Sequence, residues 1–170
     1  MEDRMLKGRA IIAGDDVSTD DIIPGRFAHL RSDLPDLAKH AFEDRIPGFQ
    51  NRAKEGDVLV GGRNFGLGSS REHAPVVIKM AGVGAILAKS VARIFYRNAI
   101  NQGLVVLICD TEGISDGDEL EIRLREGIVV NHTTGVTLSC GTMPQLMSDI
   151  LAAGGLVPYI KQHGTLDAVS

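Results

Sequence analysis

Apolar residues in this chain form short continuous runs, and glycines or polar turns separate one run from the next. Four runs predict buried strands, and they cover residues 6–12, 57–60, 85–88 and 104–108. Apolar residues at helical spacing predict a helix from Pro75, which suits a first helical turn, to about Gly82. A second helix is predicted from an N-cap at Ser90 to a stop at Gly103. This succession of strand, helix, strand, helix and strand over residues 57–108 predicts a partly parallel sheet.

Four more elements are predicted outside this unit. They are a helix over residues 34–42, a half-exposed strand over 118–124, its hairpin partner over 127–130 and a final helix over 143–152. Asp33 is the candidate N-cap of the first of these helices, and Gly154 and Gly155 end the last one. The whole pattern is that of an α/β protein with helices beside a mixed sheet.

The length of 170 residues suits one domain with a sizeable core. We expect a single domain over residues 1–170, with an ordered core over 1–162 and a tail over 163–170. The net charge of −4 gives no indication of a nucleic acid partner. No apolar run approaches the roughly 20 residues of a membrane span. The first residues also lack the apolar centre of a signal peptide, so we expect a cytoplasmic protein without a membrane partner.

The chain has two cysteines, Cys109 and Cys140. They are too few for a disulfide framework and too far apart in sequence for a short metal-binding clip. We therefore expect both to be buried apolar residues of a protein in a reducing compartment.

Residues 61–75 carry the strongest indication of function. Four glycines fall within eight positions, and these are Gly61, Gly62, Gly66 and Gly68. Glycines let a backbone turn sharply and approach another molecule closely. A group of polar residues follows at once, consisting of Ser69, Ser70, Arg71, Glu72 and His73. A glycine loop between a strand and a helix N-terminus is typical of an anion-binding or catalytic loop.

Two kinds of chemistry are open to this loop. Ser69 can act as an alkoxide if Arg71 and the N–H groups of the following helix supply a positive field. His73 can instead act as the base of a serine hydrolase, or simply bond to backbone at the start of the helix. The Gly-x-Ser-x-Gly elbow of many hydrolases is absent, and so are the Walker A and dinucleotide-binding patterns.

Arginines near predicted loops and helix starts give a second indication. Six positions share this placement, and they are Arg26, Arg31, Arg63, Arg71, Arg93 and Arg97. Because arginine binds carboxylates in a bidentate manner, such a set suits a di- or tricarboxylate ligand. Asp20 and Asp21 can ligate a metal or form turns, but we favour a role in orienting arginine or loop backbone.

Three segments, taken together, resemble a known family. Residues 66–75 resemble the signature of the swivel domain of the aconitase superfamily, most closely the separate small subunit of 3-isopropylmalate dehydratase and its homoaconitase-like relatives. Residues 16–26 resemble the N-terminal motif of that family, and residues 90–104 resemble the segment after the loop. Gly154-Gly155-Leu156 also fits the family ending. The resemblance implies an aconitase swivel-type β/β/α domain with a partly parallel sheet flanked by helices.

The family reaction is a dehydration followed by rehydration, which in leucine biosynthesis converts 2-isopropylmalate into 3-isopropylmalate. The resemblance implies that Ser69 is the catalytic base and that Ser70 and Arg71 hold substrate carboxylates. Arg26 and Arg31 are further candidates for substrate binding. The residues expected to support the loop are Gly66, Gly68, Asp20 and His73.

The family also uses a [4Fe–4S] cluster as its Lewis acid. Such a cluster needs about three cysteine ligands, and this chain has two cysteines in all. We therefore expect no metal or cofactor on this chain, a cluster on a partner large subunit, and activity only in the complex.

The chain departs from the family pattern at two places, of which the second affects the substrate assignment. Leu67 stands where many small subunits have cysteine, and residues 27–32 differ from the Tyr-Leu-Arg-Thr of isopropylmalate enzymes. Homoaconitate, 2,3-dimethylmalate or a citramalate-type acid are therefore alternative substrates. A non-catalytic module that binds a carboxylate metabolite is a further alternative.

Overall fold

The protein is described by a computed structural model that covers residues 4–68 and 72–164. Its strands are β1 (Met5–Gly14), β2 (Val58–Gly61), β3 (Ala85–Ala88), β4 (Val105–Ile108), β5 (Glu119–Arg123), β6 (Ile128–Asn131) and β7 (Thr137–Ser139). They form one sheet in the order β4-β3-β2-β1-β5-β6-β7.

Helices of four to nine residues connect and cover these strands. They are α1 (Thr19–Ile22), α2 (Leu34–Ala38), α3 (Phe49–Arg52), α4 (His73–Met80), α5 (Arg93–Asn101), α6 (Gln145–Ala153) and α7 (Leu156–His163). A 3₁₀ helix covers Gly25–Leu30. Within the described residues, no helix has the length and apolarity needed to cross a membrane.

The strands β1 to β4 are parallel, and this half of the sheet contains the predicted unit of alternating strands and helices. Leu59 of β2 lies opposite Ile11 of β1 on one side and Ile86 of β3 on the other. Helices α4 and α5 make the two crossovers between β2, β3 and β4. The other half of the sheet is antiparallel, because β1 also pairs with β5, which forms the predicted hairpin with β6. The predicted α/β class with a partly parallel sheet is confirmed.

Two apolar clusters cover opposite faces of the parallel strands. Leu59 and Ile86 belong to a cluster that includes Val77 of α4, whereas their neighbours Val58 and Ala85 belong to a second cluster with α6 and α7. Burial on both faces is why the strand sequences are continuously apolar instead of alternating.

The end of the chain differs from the prediction. Helix α6 ends at Gly154, which has a left-handed φ of 96°, as the sequence indicated. It is not the final helix, because α7 follows and buries Tyr159 against the second cluster. Of the predicted tail, His163 ends α7 and residues 165–170 lie outside the described part of the chain.

Three other local predictions need correction. Asp33 caps α2 by accepting a hydrogen bond from the Asp36 amide, but the helix ends at Ala38 instead of residue 42. Ser90 does not cap α5, since its hydroxyl accepts a hydrogen bond from the backbone of another segment. The predicted half-exposed strand, β5, has Glu121 buried, and the Arg123 guanidinium compensates that carboxylate at 2.9 Å.

Candidate active site

The glycine loop lies at the carboxyl edge of the parallel strands. It follows β2 directly, while the segment after β1 and the segment after β3 leave the sheet at the same edge. In open α/β sheets, ligands bind at this edge. The fold therefore brings the three segments that carry the family resemblance side by side.

The segment after β1 bonds to one side of the loop through its backbone. The Gly66 amide donates a 2.7 Å hydrogen bond to the Val17 carbonyl, and the Thr19 amide donates a 2.8 Å bond to the Leu67 carbonyl. Ser18 and Leu67 form an isolated parallel bridge between these two bonds. The pairing of β1 with β2 thus resumes beyond the strands, up to the residue before Gly68.

The segment after β3 bonds to the other side of the loop. The Phe65 amide donates to the Ser90 carbonyl at 3.0 Å, and the Ala92 amide donates to the Phe65 carbonyl at 2.8 Å. The Ser90 hydroxyl accepts a 2.8 Å hydrogen bond from the Asn64 amide. The loop is consequently fixed between two neighbouring segments.

Two glycines of the loop have positive φ and lie close to neighbouring side chains. Gly66 is buried with φ +82°, and a Cβ there would lie 2.3 Å from a ring atom of Phe95. Gly68 has φ +111°, and a Cβ there would lie 3.0 Å from the Thr19 hydroxyl. The close approach of Phe95 and Thr19 to this backbone depends on glycine at both positions.

Polar residues that the sequence pattern did not single out complete the loop. The Asp15 carboxylate accepts a 2.8 Å hydrogen bond from the Arg63 amide, and the Asn64 side chain donates to the Asp16 carboxylate at 3.0 Å. Asp16 and Asn64 both have positive φ, a conformation that Asp and Asn tolerate better than most residues. Their residue types in a glycine-rich context were the available indication of these turns.

Of the two adjacent aspartates, Asp21 has a defined role in the backbone. It forms a capping box with Ser18 at the start of α1 and lies 3.5 Å from the Arg45 guanidinium. Asp20 is exposed and lies in the first turn of the same helix. The sequence pattern favours a role for these aspartates in orienting arginine or backbone over metal binding, and the contacts of Asp21 agree with that role. Among the described residues, no group of three or more His, Cys, Asp or Glu side chains is arranged to hold a metal ion.

The proposed base and carboxylate-binding residues, Ser69, Ser70 and Arg71, lie outside the described residues. The chain is described up to Gly68 and again from Glu72, after which α4 begins at His73. Because the N-terminus of an α-helix carries a partial positive charge, α4 places that charge beside the segment with the two serines.

Arg26 is held by protein carboxylates. Its guanidinium contacts both carboxylate oxygens of Asp44, at 2.6 and 2.8 Å, and Glu43 at 3.0 Å. It also lies 4.6 Å from the centre of the Phe27 ring. The hydrogen bond from Arg26 lowers the pKa of the Asp44 carboxyl below its usual value. These contacts anchor the 3₁₀ helix and leave the Arg26 side chain 53% exposed, and substrate binding there stays a prediction.

The other described arginines of the predicted set are exposed. Arg31 directly follows the 3₁₀ helix, Arg63 lies in the glycine loop, and Arg93 and Arg97 lie on α5. Helix α5 starts directly after Ala92, which bonds to the loop. Arg63, Arg93 and Arg97 therefore lie on the loop itself or on the helix that adjoins it.

Comparisons with known proteins agree with this geometry. The model of the family described as the aconitase C-terminal domain matches residues 17–112, a span that contains the glycine loop, residues 17–26 before it and residues 90–104 after it. A 3-isopropylmalate dehydratase small subunit of Archaeoglobus fulgidus is 57% identical over 95% of this chain and 98% of its own length. One from Thermotoga maritima is 50% identical over 97% of this chain and 100% of its own length.

A solved structure gives the same result. The crystal structure of 3-isopropylmalate dehydratase from Methanocaldococcus jannaschii has a TM-score of 0.90 and 49% sequence identity, and the match covers 95% of this chain and 96% of that one. The chain therefore belongs to the aconitase C-terminal domain family and, within it, to the small subunits of 3-isopropylmalate dehydratase, a hydro-lyase of the aconitase superfamily.

Proposed function

We propose that this chain is the small subunit of a heteromeric hydro-lyase that converts 2-isopropylmalate into 3-isopropylmalate in leucine biosynthesis. The observation that carries the proposal is the glycine loop, fixed between the segments after β1 and β3 immediately before Ser69. The names of relatives that match nearly the whole chain support the choice of reaction.

Ser69 is the proposed base that removes the proton on the carbon next to a substrate carboxylate. A serine hydroxyl needs a strong positive field to act as an alkoxide. The guanidinium of Arg71 and the N-terminus of α4 are the proposed sources of that field. The same arginine, together with Ser70, would bind substrate carboxylate oxygens and so orient the substrate carbon toward Ser69.

The rigid surroundings of the loop suit this role. Proton transfer depends on a distance of about 3 Å between the base and the group that loses the proton. Backbone hydrogen bonds at Gly66 and Leu67 fix the chain only two or three residues before Ser69. We propose that Asp20 and His73, at the start of α1 and of α4, help to hold the loop from either side.

The proposal places the Lewis acid on a large subunit. In the complex, a [4Fe–4S] cluster on that partner would activate the leaving hydroxyl group. This chain has two cysteines, and both are buried, directly after β4 and directly after β7. The residues present here therefore do not suit a cluster site, and the active site would form at the interface of the two subunits.

The candidate substrates differ in the side group that they carry. We propose the isopropyl group for this chain from the names of its relatives. Residues 27–32 are the segment expected to contact this group, and they differ from the arginine-containing motif of isopropylmalate enzymes. Homoaconitate, 2,3-dimethylmalate and citramalate-type acids are the alternative substrates to compare.

Reconstitution tests the proposal. The chain and a large subunit of 3-isopropylmalate dehydratase are purified without oxygen, and each is assayed alone and in the mixture with isopropylmalate and the three alternative substrates. We expect turnover only in the mixture, with isopropylmalate as the best substrate. Full activity of the large subunit alone would instead indicate a non-catalytic module. Hydrolysis of an activated ester by this chain alone would indicate a serine hydrolase.

A further inference from the structure

The Arg45 side chain reaches three acceptors around the end of β1. Its Nε donates to the Ala13 carbonyl at 3.0 Å, and its Nη2 donates to the Asp15 carbonyl. Its Nη1 lies 3.5 Å from the Asp21 carboxylate. One half-buried side chain thereby joins the end of strand β1 to helix α1, the first helical turn after it.

The segment that this guanidinium holds is the one that holds the glycine loop. The Asp15 carboxylate accepts a hydrogen bond from the Arg63 amide, and the Asp16 amide donates to the Arg63 carbonyl at 2.8 Å. Further along, the Thr19 amide bonds to the Leu67 carbonyl. A displacement of residues 13–21 would therefore also displace the glycine loop, both at Arg63 and at Leu67.

The contacts of the Arg45 side chain require an arginine, and they are favoured by the glycine at position 14. Two carbonyls and a carboxylate in different directions match the planar fork of donors that a guanidinium provides and an ammonium lacks. A Cβ at Gly14 would lie 3.2 Å from the Arg45 Nη2, and Gly14 has φ +84°. The absence of a side chain at Gly14 lets the guanidinium approach the backbone.

We propose that Arg45 is a positioning residue for the base of the reaction. It sets the place of Ser69 through residues 13–21 and the glycine loop, without contact with the substrate. This inference rests on the proposed function of Ser69. Displacement of a reacting group by about 1 Å can lower a rate by roughly 100-fold, so the loss of three anchoring contacts is expected to act mainly on proton abstraction.

The kinetic test compares Arg45→Met and Arg45→Lys in the reconstituted complex. We expect kcat to fall roughly 10- to 100-fold in Arg45→Met and less in Arg45→Lys. We also expect a larger primary isotope effect on kcat with substrate deuterated at the carbon that loses its proton, because that step becomes rate-limiting. The matched control is Arg52→Met, which removes an exposed ion pair with Asp116 and should leave both quantities unchanged.

A loss of folding is separated from a loss of positioning by two measurements. Thermal unfolding and association with the large subunit are measured for every variant. Asp21→Asn is the milder second variant, because it weakens only the carboxylate contact of Arg45 and keeps an acceptor for the cap. A lower kcat with an unchanged isotope effect and a lower Tm or weaker association would overturn the proposal, since these together would indicate fewer folded, assembled molecules.

Amide hydrogen exchange in the full chain gives a readout that needs no activity. In Arg45→Met, we expect at least tenfold faster exchange at the amides of Gly66 and Thr19, with unchanged exchange at Ile86 in β3. Unchanged exchange at Gly66 and Thr19 would overturn the positioning role. The two proposals can also fail separately. If exchange at Gly66 and Thr19 is faster in Arg45→Met but the wild-type complex turns over no substrate, the role of Arg45 in holding the loop is supported and the proposed reaction is refuted.

Discussion

The amide of Thr19 donates a 2.8 Å hydrogen bond to the carbonyl of Leu67, and this contact joins the start of α1 to the glycine loop. The acceptor lies two residues before Ser69. The described chain just before the proposed base is therefore held by a segment that is remote in sequence, and we expect changes in that segment to affect the reaction without touching the substrate.

Gly66 provides a direct test of the loop packing. Gly66→Ala introduces a Cβ within 2.3 Å of Phe95 at a left-handed φ, so we expect a loss of roughly 1–3 kcal/mol in the free energy of unfolding. Turnover of the reconstituted complex should also fall. The control is Gly113→Ala, where no atom lies within 4 Å of the new Cβ, and where we expect a change within about 0.5 kcal/mol. Equal denaturation midpoints for the two variants would contradict the packing described here.

Glu121 predicts a pH-dependent contribution to stability. Burial acts to raise its pKa, but Arg123 and Lys7 outweigh burial, so the pKa of this carboxyl lies below its ordinary value of 4.5. A carboxyl with a lowered pKa stabilises the folded state above the unfolded pKa, and this contribution is lost as pH falls through the folded pKa. We therefore expect Glu121→Gln to lower Tm at pH 7, by an amount that shrinks as the pH falls below about 4.5.

The matched control for Glu121 is Glu112→Gln, which changes an exposed carboxylate 3.6 Å from Lys89. Its Tm should follow that of the wild type at every pH, since exposed ion pairs contribute little. A constant Tm difference for Glu121→Gln from pH 7 to pH 3 would show that the loss comes from packing and not from charge.

The two cysteines should be unreactive in the folded chain. Cys109 and Cys140 are 7% and 5% exposed, and contact with Cys140 together with burial raises the pKa of the Cys109 thiol. The hydrogen bond with Cys109 lowers the pKa of the Cys140 thiol, so it is the burial of both side chains that keeps a thiol reagent away from them. We therefore expect labelling only as fast as the chain unfolds, and labelling of both thiols in denaturant. Rapid labelling of one thiol under native conditions would place it on the surface.

Local pattern was sufficient to predict the parallel half of the sheet but not the contacts that fix the loop. Strands β2, β3 and β4 are buried on both faces, so their sequences are continuously apolar and easily identified. The three-residue β7 is too short to show any period. The sequence pattern does not predict helix α7, because the pair of glycines before it indicates the end of a helix.

The residues of the candidate site also differ in whether the sequence could identify them. Gly66 and Gly68 could be identified because glycine is itself a conformational indication. Arg45 could not, since its acceptors at Ala13 and Asp15 are about 30 residues away and a lone arginine is most often a solvated surface charge. Ser90 has a residue type that suits a cap, but its hydroxyl bonds to Asn64 in the folded chain.

Residues 27–32 are expected to select the substrate. Phe27 stacks on His40 with ring centroids 3.9 Å apart, so the start of this segment is held against the turn after α2. Replacing the segment with the corresponding one of a homoaconitase should change the ratio of kcat/KM between isopropylmalate, dimethylmalate and homoaconitate by roughly 10- to 200-fold. The best rate should change much less. A common fall in all three values would show that the segment supports the fold and does not select the substrate.

The most direct test of the proposed function is the turnover of the reconstituted complex with Ser69→Ala. We expect the rate to fall by roughly 10²–10⁴-fold or more, because the proton-abstracting group is lost, while Tm and association with the large subunit stay unchanged. Ser139→Ala, an exposed serine on β7, is the control and should retain the wild-type rate. Near-normal turnover in Ser69→Ala would contradict the assignment of Ser69 as the base and, with it, the proposed role of the glycine loop.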